Sequence, residues 1–284
     1  MYNFPIGVMM DSFRLSEDEA IQKAVAMGAQ GFQMYATYGE HAPENMTPAK
    51  IRELMDKMTS NGLVFSALCG DLGHGFGNAE KNPALIEKSK RILDLAKELG
   101  TDVVTTHIGV VPTDPTVDRY KIMQDACFEL SRYADSIGSH FAIETGPETS
   151  LVLKTFLDAL DSTGVAVNLD PANLVMVTGD DPVKAVYNLQ KYIVHTHAKD
   201  GVKLVDLPPE MIYGVTPKPE DMKNITCFRE EPLGKGGVDF PAYLKALEDI
   251  GYRGFLTIER EAGKDPAKDI GEAADFLRNI IATN

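Results

Sequence analysis

The chain has 284 residues, 44% of them apolar, and carries 42 acidic side chains against 28 basic ones for a formal net charge of −14. That balance argues against nucleic acid and anionic membranes as partners, because both are bound mainly through Lys and Arg that neutralise phosphates. The three cysteines, Cys69, Cys127 and Cys227, are too far apart for a zinc knuckle or a disulfide framework, and no stretch reaches the ~20 apolar residues of a bilayer span. The N-terminus, MYNFPIGVMMDSF, has no basic n-region, so the expectation is a cytoplasmic chain with reduced thiols.

Taken in order, short apolar runs alternate with amphipathic segments. FPIGVMM (4–10) precedes a helical pattern over 16–27, and GFQMYA (31–36) precedes one over 47–60 that opens on Thr47-Pro48, an N-cap followed by proline at the first turn. VFSALCG (64–70) leads to a helix over 82–99 stopped by Gly100, and VVTTHIG (103–109) to one over 117–137 stopped by Gly138. HFAIETG (140–146), VAVNLD (165–170), IVHTHAK (193–199) and FLTIERE (255–261) follow, with helices expected over 149–162, 182–191, 239–250 and 266–281. Eight strands alternating with eight helices predict a parallel sheet, and repeats of about 30 to 35 residues fit a closed (β/α)8 TIM barrel. An open doubly wound sheet is the alternative, but no GxGxxG or GxxxxGK[ST] follows the first strand. Without a linker-like segment, 1–284 reads as one domain. The longest irregular stretch, 201–237, is proline-rich and is expected to be a functional loop over the barrel mouth.

In such a barrel the chemistry comes from the C-terminal ends of the strands. Those ends hold His107, Glu144, Asp170, then His195, His197 and Lys199, then Glu259 and Glu261, with weaker endings in Asp11, Tyr35 and Asp71. In YIVHTHAKD (192–200) the two-residue period of a strand puts His195, His197 and Lys199 on one face and Val194, Thr196 and Ala198 on the other. Three carboxylates and a histidine at neighbouring strand ends suit one divalent cation, Mn2+, Mg2+, Co2+ or Zn2+, because unpaired carboxylates in a narrow mouth would repel. Each residue also has a plainer reading. Asp170 in LDPAN is a good helix N-cap, His107 could be a satisfied core histidine, His195 could brace its neighbour, and Arg260 with Glu261 could be a surface pair. His41, His74 and His140 lie in loops or at a strand start and carry no expected role.

The segments AIETG, NLDPANL, HTHAKDG, PLGKGGVDF and LTIERE, in this order, resemble the xylose-isomerase-like barrels of sugar phosphate isomerases and epimerases. That superfamily includes ketose 3-epimerases, inosose dehydratase and endonuclease IV. The resemblance covers nearly the whole chain and is strongest from His140 to Glu261. It implies metal ligands at Glu144, Asp170, His197 and Glu259, with Glu144 and Glu259 also acting as the acid/base pair. One would take a proton from the carbon beside a ketone and the other return one, through a metal-stabilised enediolate. The implied activity is isomerisation or epimerisation of a sugar, keto-sugar or sugar phosphate; dehydration or isomerisation of a keto-cyclitol needs much the same groups. Substrate contacts are expected from His107, Glu148, Asn173, His195 and Lys199, with Asn173 standing where the family's epimerases often have histidine. The plainer readings are that Glu148 begins the fifth helix and that Lys199 pairs with Asp200 or a neighbouring carboxylate. Lys199 with Asp200 would reach the substrate's polar end. LGKGG (233–237), with Lys235, is a weak candidate for a phosphate site, and an unphosphorylated substrate is slightly favoured. Family members often form dimers or tetramers, so a homo-oligomer is expected. An endonuclease is disfavoured by the six histidines and the acidic charge, and a non-catalytic sugar-binding barrel by the intact ligand set.

Overall fold

A computed structural model describes residues 2–283. Its centre is a closed parallel barrel of β1 (Ile6–Met9), β2 (Gly31–Tyr35), β3 (Val64–Cys69), β4 (Val103–Thr106), β5 (His140–Glu144), β6 (Val165–Leu169), β7 (Ile193–Ala198) and β10 (Leu256–Ile258). Each strand pairs with its neighbours in chain order, and β10 closes the ring between β7 and β1. A short antiparallel ribbon, β8 (Asp200–Lys203) with β9 (Phe228–Glu231), stands outside the barrel. This is the family of (β/α)8 barrels that the alternating pattern predicts.

The outer layer is α1 (Glu17–Ala26), α2 (Pro48–Ser60), α3 (Asn82–Glu98), α4 (Asp118–Ile137), α5 (Ser150–Asp158), α7 (Pro182–Leu189), α9 (Phe240–Asp249) and α10 (Pro266–Thr283). Two single-turn helices, α6 (Pro171–Asn173) and α8 (Pro209–Ile212), belong to the mouth. The starts follow from the expected caps: Ser16 and Glu19 form a reciprocal capping box on α1, and the Thr47 hydroxyl accepts from the Lys50 N–H on α2. Between barrel and helices lies one continuous apolar layer, with Phe32, Phe141, Phe156, Tyr192, Phe240 and Tyr243 among its large, fully buried side chains.

Two expectations are corrected. The helix after β5 stops at Asp158, not 162, and the chain turns through Asp161 at φ 48°. The stretch 201–237 is not structureless: its two ends pair as β8 and β9, with Asp200 opposite Glu231 and Lys203 opposite Phe228. Its position is as expected, since Tyr213, Phe228 and Glu230 reach over the barrel mouth.

Candidate metal centre

Glu144 ends β5, Asp170 follows β6, His197 lies on β7 and Glu259 follows β10, so four strand ends aim at one point. One ligand atom from each lies within 4.8 Å of those of the other three, and all four residues are buried. His197 Nδ1 stands at the middle, 3.6 Å from Glu144 Oε2, 3.5 Å from Asp170 Oδ2 and 3.3 Å from Glu259 Oε2. Asp170 Oδ2 is buried and has no hydrogen-bond partner. A fully buried carboxylate oxygen without a partner costs free energy unless a cation or proton reaches it. The donor set of one imidazole nitrogen and carboxylate oxygens therefore fits a small divalent cation.

The candidate ligands are held by groups visible in the local chain. Asp170 is the N-cap of α6 through Oδ1, which accepts from the Asn173 N–H at 2.8 Å, and this leaves Oδ2 facing the other three residues. Glu144 accepts from Asn173 Nδ2 at 2.8 Å on Oε1 and from Asn168 Nδ2 at 3.2 Å on Oε2. Close approach of these two loops requires Gly146, at φ 140°, where a Cβ would stand 2.5 Å from that of Asn173. Lys199 Nζ donates to Glu259 Oε2 at 3.0 Å and also to Glu261. Burial alone would raise the Glu259 carboxyl; the Lys199 ammonium and His197 outweigh it and hold that carboxyl well below the usual range. Burial likewise opposes a charge on Lys199, and the surrounding carboxylates more than reverse it.

The centre opens into a cavity of about 250 Å3. Of the expected substrate contacts, His107, Asn173 and Lys199 line it, with Tyr35 on the β2 side and Tyr213 and Glu230 from the 201–237 stretch. His107 Nδ1 meets Asp71 at 3.2 Å and Nε2 meets Glu144 at 3.4 Å. Burial works against protonation of this ring, but the two carboxylates prevail and raise its pKa well above the ordinary value.

The structure places His195 and Glu148 elsewhere. His195 lies beneath the cavity, with Nε2 3.1 Å from Gln33 Oε1. Glu148 lines a neighbouring cavity of about 410 Å3 between Val111, Val177 and Leu207. Other readings change as well. Asp200 does not face the cavity: Oδ2 accepts from the Gly234 and Gly236 N–H groups at 3.0 and 2.8 Å, and Oδ1 from Gly201 and Val238 at 2.8 and 3.1 Å. Within LGKGG the Gly234 and Gly236 amides are thus engaged by a carboxylate and those of Lys235 and Gly237 by the Pro232 and Gly201 carbonyls, which argues against a phosphate cradle there. Gly236 is required there, since a Cβ would come within 2.2 Å of Asp200 Oδ1. Arg260 is not at the surface either. It is buried, with Nη1 on Glu230 and Nε 2.8 Å from Asp269 Oδ2.

Gln33, Asn168 and Glu230 were not singled out from the sequence. The signal for Gln33 and Asn168 is a lone polar residue at the inward phase of an apolar strand, in GFQMYA and VAVNLD; nothing in FREE marks Glu230.

Comparison with known proteins assigns the class: residues 21–280 match the model of the xylose isomerase-like TIM barrel family, and the chain belongs to that family. Inosose dehydratase of Clostridium beijerinckii is 26% identical over 157 residues, which is 53% of this chain and 49% of that protein, so the match spans about half of the relative. A putative L-ribulose-5-phosphate 3-epimerase of Escherichia coli K12 is 22% identical over 247 residues, 81% of this chain and 78% of that one. Among solved structures, a xylose isomerase domain protein from Planctomyces limnophilus superposes with a TM-score of 0.79 at 24% identity, covering 99% of both chains. That likeness shows the shared fold. Among the described residues, no helix is long and apolar enough to cross a membrane.

Proposed function

We propose that the chain is a divalent-cation-dependent isomerase or epimerase of a sugar, keto-sugar or sugar phosphate. The observation that supports it is the buried group of Glu144, Asp170, His197 and Glu259 opening directly into a polar cavity. These four residues would hold the cation, Mn2+, Mg2+, Co2+ or Zn2+; bound there, it would stabilise negative charge on a carbonyl oxygen as the adjacent C–H bond ionises. Glu259 and Glu144 reach the cavity from β10 and β5, at the two ends of a four-strand arc. One removes the proton from the carbon beside the carbonyl, and the other returns a proton. Lys199 keeps Glu259 ionised, the state a base needs. His107, Asn173 and Lys199 offer hydrogen bonds to substrate hydroxyls, His195 braces the centre from below, and Glu148 acts from the adjoining cavity. The engaged LGKGG amides favour an unphosphorylated substrate within this class.

The match to inosose dehydratase supports a second reading on the same groups, in which proton removal from a keto-cyclitol is followed by loss of a neighbouring hydroxyl. Both readings are tested by offering the cation-loaded protein ketoses, ketose phosphates and inososes in deuterated water. An isomerase or epimerase returns sugar carrying solvent deuterium, and a dehydratase produces an enone that absorbs in the ultraviolet. Glu144→Gln and Glu259→Gln should each lower turnover by at least about 10²-fold with an unchanged circular dichroism spectrum. Near-wild-type turnover in either variant means that the two-base scheme is wrong.

A further inference from the structure

Gln33 lies on β2 with its side chain inside the barrel, fully buried. Its amide has three partners. Nε2 donates to Thr105 Oγ1 at 2.9 Å, while Oε1 faces His195 Nε2 at 3.1 Å and His197 Nε2 at 3.2 Å. The Thr105 hydroxyl has a single proton, which it gives to the Leu68 carbonyl at 3.4 Å, so toward Gln33 it accepts. That choice fixes which end of the amide points at the histidines.

An amide oxygen only accepts, so both imidazole nitrogens that face it carry hydrogen. A neutral imidazole has one N–H. With that hydrogen on Nε2 of His197, the free lone pair is on Nδ1, the nitrogen that stands 3.3 to 3.6 Å from the three carboxylates. A metal needs the unprotonated nitrogen, and the partner of the other nitrogen decides which one that is. Asn168 Nδ2, at 3.3 Å from Nε2 and 3.5 Å from Nδ1, is nearly equidistant from both and does not choose between them, which leaves the choice to Gln33. We infer that Gln33 is a positioning residue that sets the tautomer of His197 and selects Nδ1 as the nitrogen donor of the centre.

His195 then acquires a definite part. It donates to the same oxygen and packs edge-on to His197, with ring centroids 5.9 Å apart, so the Gln33 amide oxygen is shared by two rings. This inference rests on the metal-centre reading above.

The test uses the intact chain and Zn2+ alone. Long-range 15N–1H correlation on the zinc-loaded protein should show His197 protonated at Nε2 and metal-bound at Nδ1. Zinc titration should give about 10- to 100-fold weaker binding for Gln33→Leu. Gln33→Glu, whose carboxylate still accepts from both rings, should bind at least as tightly as wild type. Metal on Nε2 overturns the inference, and so does Gln33→Leu binding zinc like wild type. If Gln33→Leu does not fold, the tautomer of the wild type and the affinity of Gln33→Glu still decide. A wild type that binds no divalent cation sinks the metal-centre reading and takes this inference with it. Normal binding in wild type and Gln33→Leu alike sinks the inference alone.

Discussion

Glu148 offers the sharpest test of the electrostatics. Its Oε2 accepts from the Val111 N–H at 3.2 Å, while Oε1 is buried with no hydrogen-bond partner. Burial, against that one hydrogen bond, pushes the carboxyl from 4.5 up to about 8. A raised carboxyl binds a proton in the folded state that it has lost in the unfolded one. Stability linked to it is therefore complete below pH 4.5 and drains away as the pH rises through about 8. At about 1.4 kcal/mol per pH unit, the interval from 4.5 to about 8 amounts to roughly 5 kcal/mol, an upper figure because water can enter the adjoining cavity. Glu148→Gln keeps the shape and the acceptor for Val111 but has no proton to lose. Urea unfolding of both proteins at about pH 5.5 and about pH 9 should show similar stability at the lower value and the variant more stable by several kcal/mol at the higher one. Groups that titrate equally in both proteins cancel in the comparison. An identical difference at the two pH values, within about 1 kcal/mol, would refute the account of a buried protonated carboxyl.

Two further predictions concern the frame around the mouth. Asp200→Ala strips four backbone N–H groups of their common acceptor and should lower stability by about 3 kcal/mol or more in urea unfolding, with faster proteolysis within 201–237; a loss under about 1 kcal/mol would show that water replaces the carboxylate. Arg260→Met leaves the half-buried Glu230 and Asp269 without their cation and should cost about 2 to 3 kcal/mol. Replacing all three with apolar residues should recover most of that loss, and a single variant as stable as wild type would mean that the network carries no strain when broken.

The barrel was legible because its strands are buried on both faces and read as short apolar runs between capped, amphipathic helices. Glu144, Asp170, His197 and Glu259 stood out because charged side chains at the ends of such runs have few other uses. The ribbon of β8 and β9 was hidden by its composition: DGVK and FREE carry none of the alternation that marks a half-buried strand, and their pairing depends on a contact between distant segments. LGKGG was ambiguous for a related reason. Glycines that allow close backbone approach look the same in sequence whether the approaching group is a ligand or, as here, the carboxylate of Asp200. Gln33 and Asn168 resembled interruptions in apolar strands, since hydrogen bonds between β2, β4, β6 and β7 leave no trace in local pattern. Arg260 escaped because residues next to it in the chain, Glu259 and Glu261, serve the cavity while it turns away to Glu230.

The 201–237 stretch is fastened at two places that do not depend on its middle. Asp200 clamps the run from Gly234 to Val238 beside the start of β8, and Glu230 ties β9 to Arg260 and to the Glu261 and Ala262 N–H groups just beyond β10. Residues 204–227 run between these fixed points like an exchangeable cartridge, seated through Leu207 and through Ile212 against Ala172, Met176 and Val177, and contributing Tyr213 to the roof of the cavity. Lengthening a loop costs little entropy once its ends are held. A descendant of this chain could therefore trade that tip for another, change what fits beneath it, and leave Glu144, Asp170, His197 and Glu259 where they stand.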